Sequence, residues 1–515
     1  MSRLFLIFAL IMTLLLVCAC ADDDDDDNDG GDDDDNDDND DSDTDDDNDV
    51  DDDADDDDDN DDQVDDDVVC NEEYPDSTVG LLSCQPGTYD GYTLFAPTTT
   101  LTVYLIDIFG RIINTWPGGN MPGQVVYFLE TGQLLRTGNT LNIYFAGGGL
   151  GGLVSLQEWD GTVSWSYRYS DSSHVLHHDV EYLPNGNILL LTWEKKNKNE
   201  AIAAGLDPSR LNDSEMWSEV VIEVEPVGTE DGNIVWRWDV WDHLVQDYDP
   251  SQDNYGVVAD HPELLDINYG TYGKGDWLHC NAVDYNEELD QVLIGCRESS
   301  EIYVIDHSTT TAEAAGHTGG ERGRGGDFLY RWGNPANYDA SGDQMYFAQH
   351  DGQWIEPGLP GEGNVLVFNN GEHRPGGGTY STVDEMIPPL EIDGSYTYSA
   401  GQPYGPDDFI WTYIGDPPSS FYSFNVSGAQ RLENGNTLMC LGASGNFVEV
   451  DENGEVLWYY VNPVTAMGVL EQGSFIPTAP TGGQANSCFR AYRYPPDFPG
   501  FDGQDMTPGD YLVEP

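Results

Sequence analysis

His178, Asn281, His350 and Ser427 fall on one position of a recurring hairpin pattern. The segments read His178-Asp179-Val180-Glu181-Tyr182, Asn281-Ala282-Val283-Asp284-Tyr285, His350-Asp351-Gly352-Gln353-Trp354 and Ser427-Gly428-Ala429-Gln430-Arg431. In a symmetric repeat, equivalent positions converge on the axis, so residues far apart in the chain are expected to meet in one polar site. Within the second unit a turn near Glu288 places His279 nine residues before it and Arg297 nine after. These two therefore face each other across a hairpin, and alternation puts Asn281 on the face of His279. Cys280 and Cys296 mirror each other on the other face, a geometry that suits a cross-strand disulfide. His178 aligns with His350, each followed by Asp, so His177 is expected to point the other way, and His174 lies on the approach to the strand. Histidines, an amide and an arginine around one channel mouth suit an oxyanion: Arg offers a planar fork of donors for a sulfate or phosphate, and a histidine can attack or carry a proton. Zinc is the other reading of three histidines. The cross-strand Arg297 disfavours it, so no metal and no cofactor is expected at this site.

The elements that must position these residues carry a second repeat. A turn with Gly, alternating apolar residues and a Trp recurs at Phe109–Trp116, Asp160–Trp165, Asp231–Trp236, Gly326–Trp332 and Asn453–Trp458. Period-two alternation after Asp-Gly or Asn-Gly marks hairpin strands. About six such units over 70–515 predict an all-β domain, a six-bladed β-propeller whose large aromatics form the core between blades. Residues 194–218 interrupt the pattern with Ala and charged residues and are expected to form a small helical insertion.

Composition divides the rest. Residues 1–19 carry Arg3 and an apolar run from Leu4 to Val17, too short to span a membrane, and read as an export signal. Val17-Cys18-Ala19-Cys20 resembles a bacterial lipobox, which implies lipid on Cys20 and a protein tethered to a bacterial membrane, facing the periplasm or the cell surface. Residues 20–69 form an Asp-rich linker that repels itself and buries nothing, a solvated, disordered spacer. It lacks the regular spacing of a calcium loop. The chain's net charge is −79, partly from this segment, and argues against a nucleic-acid partner. Six cysteines follow the spacer (Cys70, Cys84, Cys280, Cys296, Cys440 and Cys488). In an exported chain they suggest disulfides, with Cys70–Cys84 as a local bridge and Cys440–Cys488 left by elimination.

Over roughly residues 84–515 the chain resembles the bacterial arylsulfate sulfotransferase family. The residues that carry the resemblance are Gly91-Tyr92-Thr93-Leu94-Phe95-Ala96-Pro97, Gly232-Asn233-Ile234-Val235-Trp236-Arg237-Trp238-Asp239 and Asp242-His243-Leu244. Asp276-Trp277-Leu278-His279-Cys280-Asn281, Arg331-Trp332-Gly333-Asn334-Pro335, Gln349-His350-Asp351 and the closing Phe489-Arg490-Ala491-Tyr492-Arg493-Tyr494-Pro495 complete the set. The resemblance implies a six-bladed propeller that transfers a sulfuryl group from an aryl sulfate to a phenol without a nucleotide donor, by a ping-pong reaction through a sulfohistidine. It implies His350 as the nucleophile, His279, Asn281 and Arg297 as the sulfuryl clamp, and His178 as a further donor or proton carrier. Cys280 departs from the family pattern, where a hydroxyl or small aliphatic residue is common.

Two other classes fit the same composition. One is a non-catalytic cell-surface propeller that binds a sulfated or phenolic ligand or a protein partner; loss of the nucleophile would mark it, and His350 is present. The other is a quinone-dependent dehydrogenase propeller, which needs a calcium-bound quinone and more blades.

Overall fold

The computed structural model describes residues 70–270, 273, 275–479 and 482–515. The expected export signal, the lipidated Cys20 and the Asp-rich spacer lie outside the described residues. The alternating segments form six antiparallel sheets around an axis, the blades of a β-propeller. Blade one pairs the carboxy-terminal strand Cys488–Tyr494 with Tyr92–Pro97, Thr102–Asp107 and Ile112–Pro117. Its innermost strand thus comes from the far end of the chain and closes the ring. Blades two to five open with the inner strands Pro122–Phe128, His174–Tyr182, Cys280–Asn286 and His350–Trp354. Blade six opens with Gly428–Arg431 and is widened on its outer edge by Gly80–Cys84 and Glu72–Glu73.

The tryptophan repeat marks the fourth strand of a blade, and it does more than fill the core. Each indole N–H donates to a group on the next blade around the ring. Trp116 meets the Glu158 carbonyl at 3.1 Å, Trp165 that of Asp231 at 2.9 Å, and Trp236 the Thr309 hydroxyl at 3.1 Å. Trp332 meets the Pro406 carbonyl at 2.9 Å, Trp411 that of Glu452 at 3.0 Å, and Trp458 that of Ile108 at 2.7 Å. Burying an indole stabilises each junction by apolar area, and the shared hydrogen bond adds about 1 kcal/mol while fixing how one blade sits on the next. Trp411 in blade five stands outside the five units read from the sequence, because Phe409-Ile410-Trp411 lacks the Asp-Gly turn before it.

The insertion at 194–218 is only partly helical. Its ends extend the strands Ile188–Asn197 and Glu215–Val227, and the helix is confined to Lys198–Ala203, capped by Asn197. Long cross-strand pairing keeps 194–197 and 215–218 in the sheet despite their charge. A second irregular connection, 240–279, joins blades three and four with two 3-10 turns and a short parallel pair, Leu244–Val245 with Leu265–Asp266.

Disulfides join Cys70 to Cys84 and Cys280 to Cys296. The expected Cys440–Cys488 bond is absent: both are free thiols, buried in one apolar cluster. They belong to different blades, and the Cys488 sulfur instead accepts from the Asn462 amide at 3.3 Å. Burial pushes both thiols up, which keeps them protonated and unreactive.

Candidate active site

Inner strands that simply alternated would aim every second side chain at the axis. Here each histidine-bearing strand breaks its alternation. In His174–Tyr182, residues 177–179 lie opposite a single partner position, and His178 takes a left-handed backbone with φ 49°. His279, at φ 51°, does the same just before Cys280–Asn286. Such a backbone costs a non-glycine residue roughly 1–2 kcal/mol and is concentrated at working sites. It turns His178 and His279 toward each other, with ring centroids 4.6 Å apart at 75°. His350 completes the group, within reach of the charge of Arg297.

Each of the three imidazoles is held through Nδ1. His350 Nδ1 lies 2.8 Å from Asn370 Oδ1, while the Asn370 amide nitrogen donates to the Ser423 and Val426 carbonyls at 2.8 and 3.0 Å. That orientation leaves Asn370 only an acceptor for the histidine, so the proton of His350 sits on Nδ1 and Nε2 carries the lone pair. His279 Nδ1 lies 2.6 Å from Asp276 Oδ2. His178 Nδ1 lies 2.9 Å from Nδ1 of His177, whose Nε2 is 2.9 Å from Glu219 Oε2. None of the described residues hydrogen-bonds an Nε2 of these three histidines. Burial pushes His350 and His178 well below the ordinary histidine range, and the Arg297 charge adds to this at His350, so both are neutral at physiological pH.

His177 does leave the cavity, as its register predicts. It is fully buried and stacks on Trp193 at 3.9 Å. Its bond to His178 was not visible in the sequence, because a face rule does not anticipate contact across a bulge. Glu219 also accepts the Trp193 indole and the Cys280 amide, each at 3.0 Å, so it is anchored as an acceptor. A glycine run absent from the sequence reading leans over the rings. A Cβ on Gly149 would fall 2.1 Å from His178, and one on Gly147 2.8 Å from Trp193. Only glycine allows that segment so close, and the Gly149 carbonyl accepts the His178 amide at 2.8 Å.

Arg297 is brought opposite His279, its amide on the His279 carbonyl at 3.1 Å. The pairing comes from an irregularity. From Ala282↔Gly295 to Asn286↔Gln291 the hairpin is centred between Glu288 and Leu289, and a bulge at Asn281 shifts the register so that Cys280 faces Cys296. The same bulge breaks the strict alternation that would put Asn281 on the face of His279. Its amide donates to the Gln349 carbonyl at 2.9 Å, tying blade four to the residue before His350 and leaving one N–H for other use. The fourth station uses its hydroxyl within its own blade. The Ser427 hydroxyl is held by Ser423 Oγ at 2.8 Å and accepts the Gly442 amide. His174 stays at the outer end of its strand, stacked on Tyr169 and 3.3 Å from Asp171.

Arg297 is not bare. Its guanidinium bonds Glu298 at 2.5 Å and also Glu372, which sits on the glycine-rich loop after Asn370. Beside the pair opens a cavity of about 310 Å³ whose lining includes Tyr269, Trp277, Asn334 and Glu372.

Arg490 on the closing strand is buried among the inner strands of blades three, four and five. It meets Asp179 Oδ2 at 2.8 Å, Asp351 Oδ1 at 2.8 Å and the Asn281 carbonyl at 2.9 Å. The repeated His-Asp pair therefore divides: His178 and His350 belong to the histidine group, while Asp179 and Asp351 hold Arg490. Phe489 lies 6.0 and 6.4 Å from the rings of His178 and His350.

Residues 157–456 match the family described as Arylsulfotransferase (ASST). No curated protein matches the sequence. Among solved structures, a protein of unknown function from Bacteroides caccae is 11% identical, covers 72% of this chain and 93% of its own, and has a TM-score of 0.39. A functionally unknown protein from Desulfotomaculum acetoxidans is 10% identical over 79% of this chain and 100% of its own, TM-score 0.35. An inactive variant of virginiamycin B lyase from Staphylococcus aureus is 10% identical over 75% and 88%, TM-score 0.33.

Proposed function

This chain belongs to the arylsulfotransferase family, and on that premise we propose that it transfers a sulfuryl group from an aryl sulfate to a phenol through a sulfohistidine at His350. The observation that carries the reading is the common locking of His178, His279 and His350 through Nδ1, which leaves three Nε2 atoms without a hydrogen-bond partner among the described residues, with Arg297 opposite His279. In the first half-reaction the Nε2 lone pair of His350 attacks sulfur. An N–S bond forms, the S–O(aryl) bond breaks, and its electron pair leaves on the phenol oxygen. Arg297 donates to the sulfuryl oxygens, where preorganised donors oppose the charge that builds, and His279 donates beside it only as an imidazolium held against the Asp276 carboxylate. The cavity beside Arg297 has room for an aryl group, since about 150 Å³ suffices for benzene.

The proton travels through His177 and His178, with the Glu219 carboxylate holding His177. In the loaded state His177 holds two protons against the Glu219 carboxylate, and His178 presents Nε2–H to the leaving phenolate. As His178 donates, the Nδ1 proton of His177 moves to Nδ1 of His178. The unloaded state then offers a His178 lone pair to the incoming phenol. His178 is neutral in both states, which agrees with the burial that depresses it. The second half-reaction is the reverse: phenolate attacks sulfur, the N–S bond breaks, and His350 recovers its lone pair. In the same reading the protein is exported, with Cys20 as its lipid anchor.

Turnover of a chromogenic aryl sulfate, followed with and without added phenol, tests the activity. Acceptor-dependent release with a burst near one equivalent in its absence is expected. Binding without turnover would instead make this a ligand-binding propeller.

A further inference from the structure

Outside the active site, among the described residues, one group of side chains converges closely enough to share an ion: His243, His317 and Asp327. They come from three segments. His243 follows the 3-10 turn Val240–Asp242 at the end of blade three. His317 follows the short helix Thr311–Ala314, and Asp327 leads into the strand Tyr330–Trp332 of blade four. Nδ1 of His243 and Nδ1 of His317 each lie 2.8 Å from the same oxygen, Asp327 Oδ1.

The decisive feature is the far side of His243. The ring is fully buried, and its Nε2 lies 2.8 Å from the Ala314 carbonyl, a pure acceptor, so Nε2 carries a proton. A neutral His243 then turns a lone pair on Nδ1 toward a carboxylate oxygen. That contact is repulsive unless a cation, either a second proton or a metal ion, lies between them. A backbone carbonyl on the outer nitrogen is also how metal-bound histidines are characteristically oriented. The ring has no other freedom. Trp238 stacks against it at 5.8 Å with 5° between planes and donates its indole N–H to the Gly326 carbonyl at 2.7 Å. A Cβ on Gly326 would meet His243 Nε2 at 2.6 Å. The histidine is thus presented to Asp327 by a frame that serves no catalytic purpose.

We infer that His243, His317 and Asp327 bind a divalent cation of the zinc type. Two imidazoles and one carboxylate are a borderline donor set, which favours zinc over calcium or magnesium. An ion about 2.0–2.1 Å from each atom needs the two 2.8 Å contacts to open by roughly 0.5 Å for tetrahedral angles. His317 is 60% exposed, so water can fill a fourth position and the ring can swing into place. The ion would staple the connection 315–326, which holds six glycines, to the end of blade three.

Cobalt(II) titrated into the full-length, chelator-stripped protein tests this. The Asp-rich spacer offers only oxygen ligands and gives weak octahedral bands, identical in every variant. The cluster gives intense visible bands with one equivalent of cobalt, which zinc then bleaches. His317→Ala, at an exposed position, should remove the intense bands while leaving circular dichroism unchanged; Asp327→Asn is the second variant. Weak bands alone in the wild type, or intense bands that survive in a folded His317→Ala, would overturn the assignment and leave a proton between His243 and Asp327.

Discussion

The Nδ1 atoms of His177 and His178, neighbours on one strand, lie 2.9 Å apart. Adjacent residues of a regular strand point to opposite faces, so only the bulge at 177–179 allows this contact. It converts a buried carboxylate, Glu219, into a partner of a ring in the cavity.

Glu219→Gln isolates that relay. The amide oxygen can keep the Trp193 and Cys280 donors, but the amide nitrogen presents N–H to His177 Nε2. His177 must then carry its proton on Nδ1, and His178 is fixed with its proton on Nε2, unable to accept. The turnover rate should fall about 100-fold with weakly acidic phenols, within the usual range for a lost general base. With strongly acidic phenols, already ionised, the loss should be small. A slope of log rate against acceptor pKa that matches the wild type would remove the relay from the mechanism.

His350→Ala should abolish transfer. With an aryl sulfate and no acceptor, the wild type should gain one sulfuryl group, located on the His350 peptide by mass spectrometry. Because burial and Arg297 hold His350 below the ordinary histidine range, labelling should continue as pH falls through about 6.5, where a free imidazole protonates. Label on His279 or His178 would reassign the nucleophile.

Arg297 and Glu372 predict opposite effects. Arg297→Lys keeps the charge but loses the planar fork, and turnover should fall about 100- to 1000-fold. Glu372→Gln removes the carboxylate that occupies the guanidinium, so the donor no longer competes with it. A partly exposed pair contributes up to about 1 kcal/mol, so KM for the aryl sulfate should fall roughly fivefold with turnover little changed. A rise in KM would show Glu372 holding Arg297 in place instead of blocking it.

The propeller was legible because its repeat is periodic in two ways, alternation within strands and a tryptophan at each outer strand. The histidine group was legible because symmetry brings inner strands together whatever their local detail. What the sequence hid is local irregularity. The bulge at Asn281 created the His279–Arg297 pairing and interrupted the alternation from which the position of Asn281 is argued. Asn370, Asp276 and Glu219, which fix the three rings, lie in a loop, an irregular segment and a neighbouring strand, where no period applies. Arg490 lies in the closing motif Phe489–Pro495, yet its contacts to Asp179 and Asp351 depend on the closing strand's place in the ring. Pairing Cys440 with Cys488 by elimination had no geometry behind it, and the two thiols stayed free.

A fourth prediction concerns stability and lies away from the chemistry. His307 bridges two blades, with Nε2 3.1 Å from Glu223 and Nδ1 2.7 Å from Asp290. Burial alone would lower it, but the two carboxylates outweigh burial and raise it to about 9. A raised histidine stabilises the fold fully below its unfolded value near 6.5, and the contribution fades as pH climbs through 9. The shift corresponds to about 3 kcal/mol at most, less for the part that solvent screens. Thermal denaturation across pH 6 to 10 should therefore show a loss of Tm in that window that His307→Gln lacks. The variant should be less stable than the wild type at pH 6 and close to it at pH 10. Parallel pH profiles for the two proteins would show that His307 is neutral in the folded state and that the bridge carries no charge.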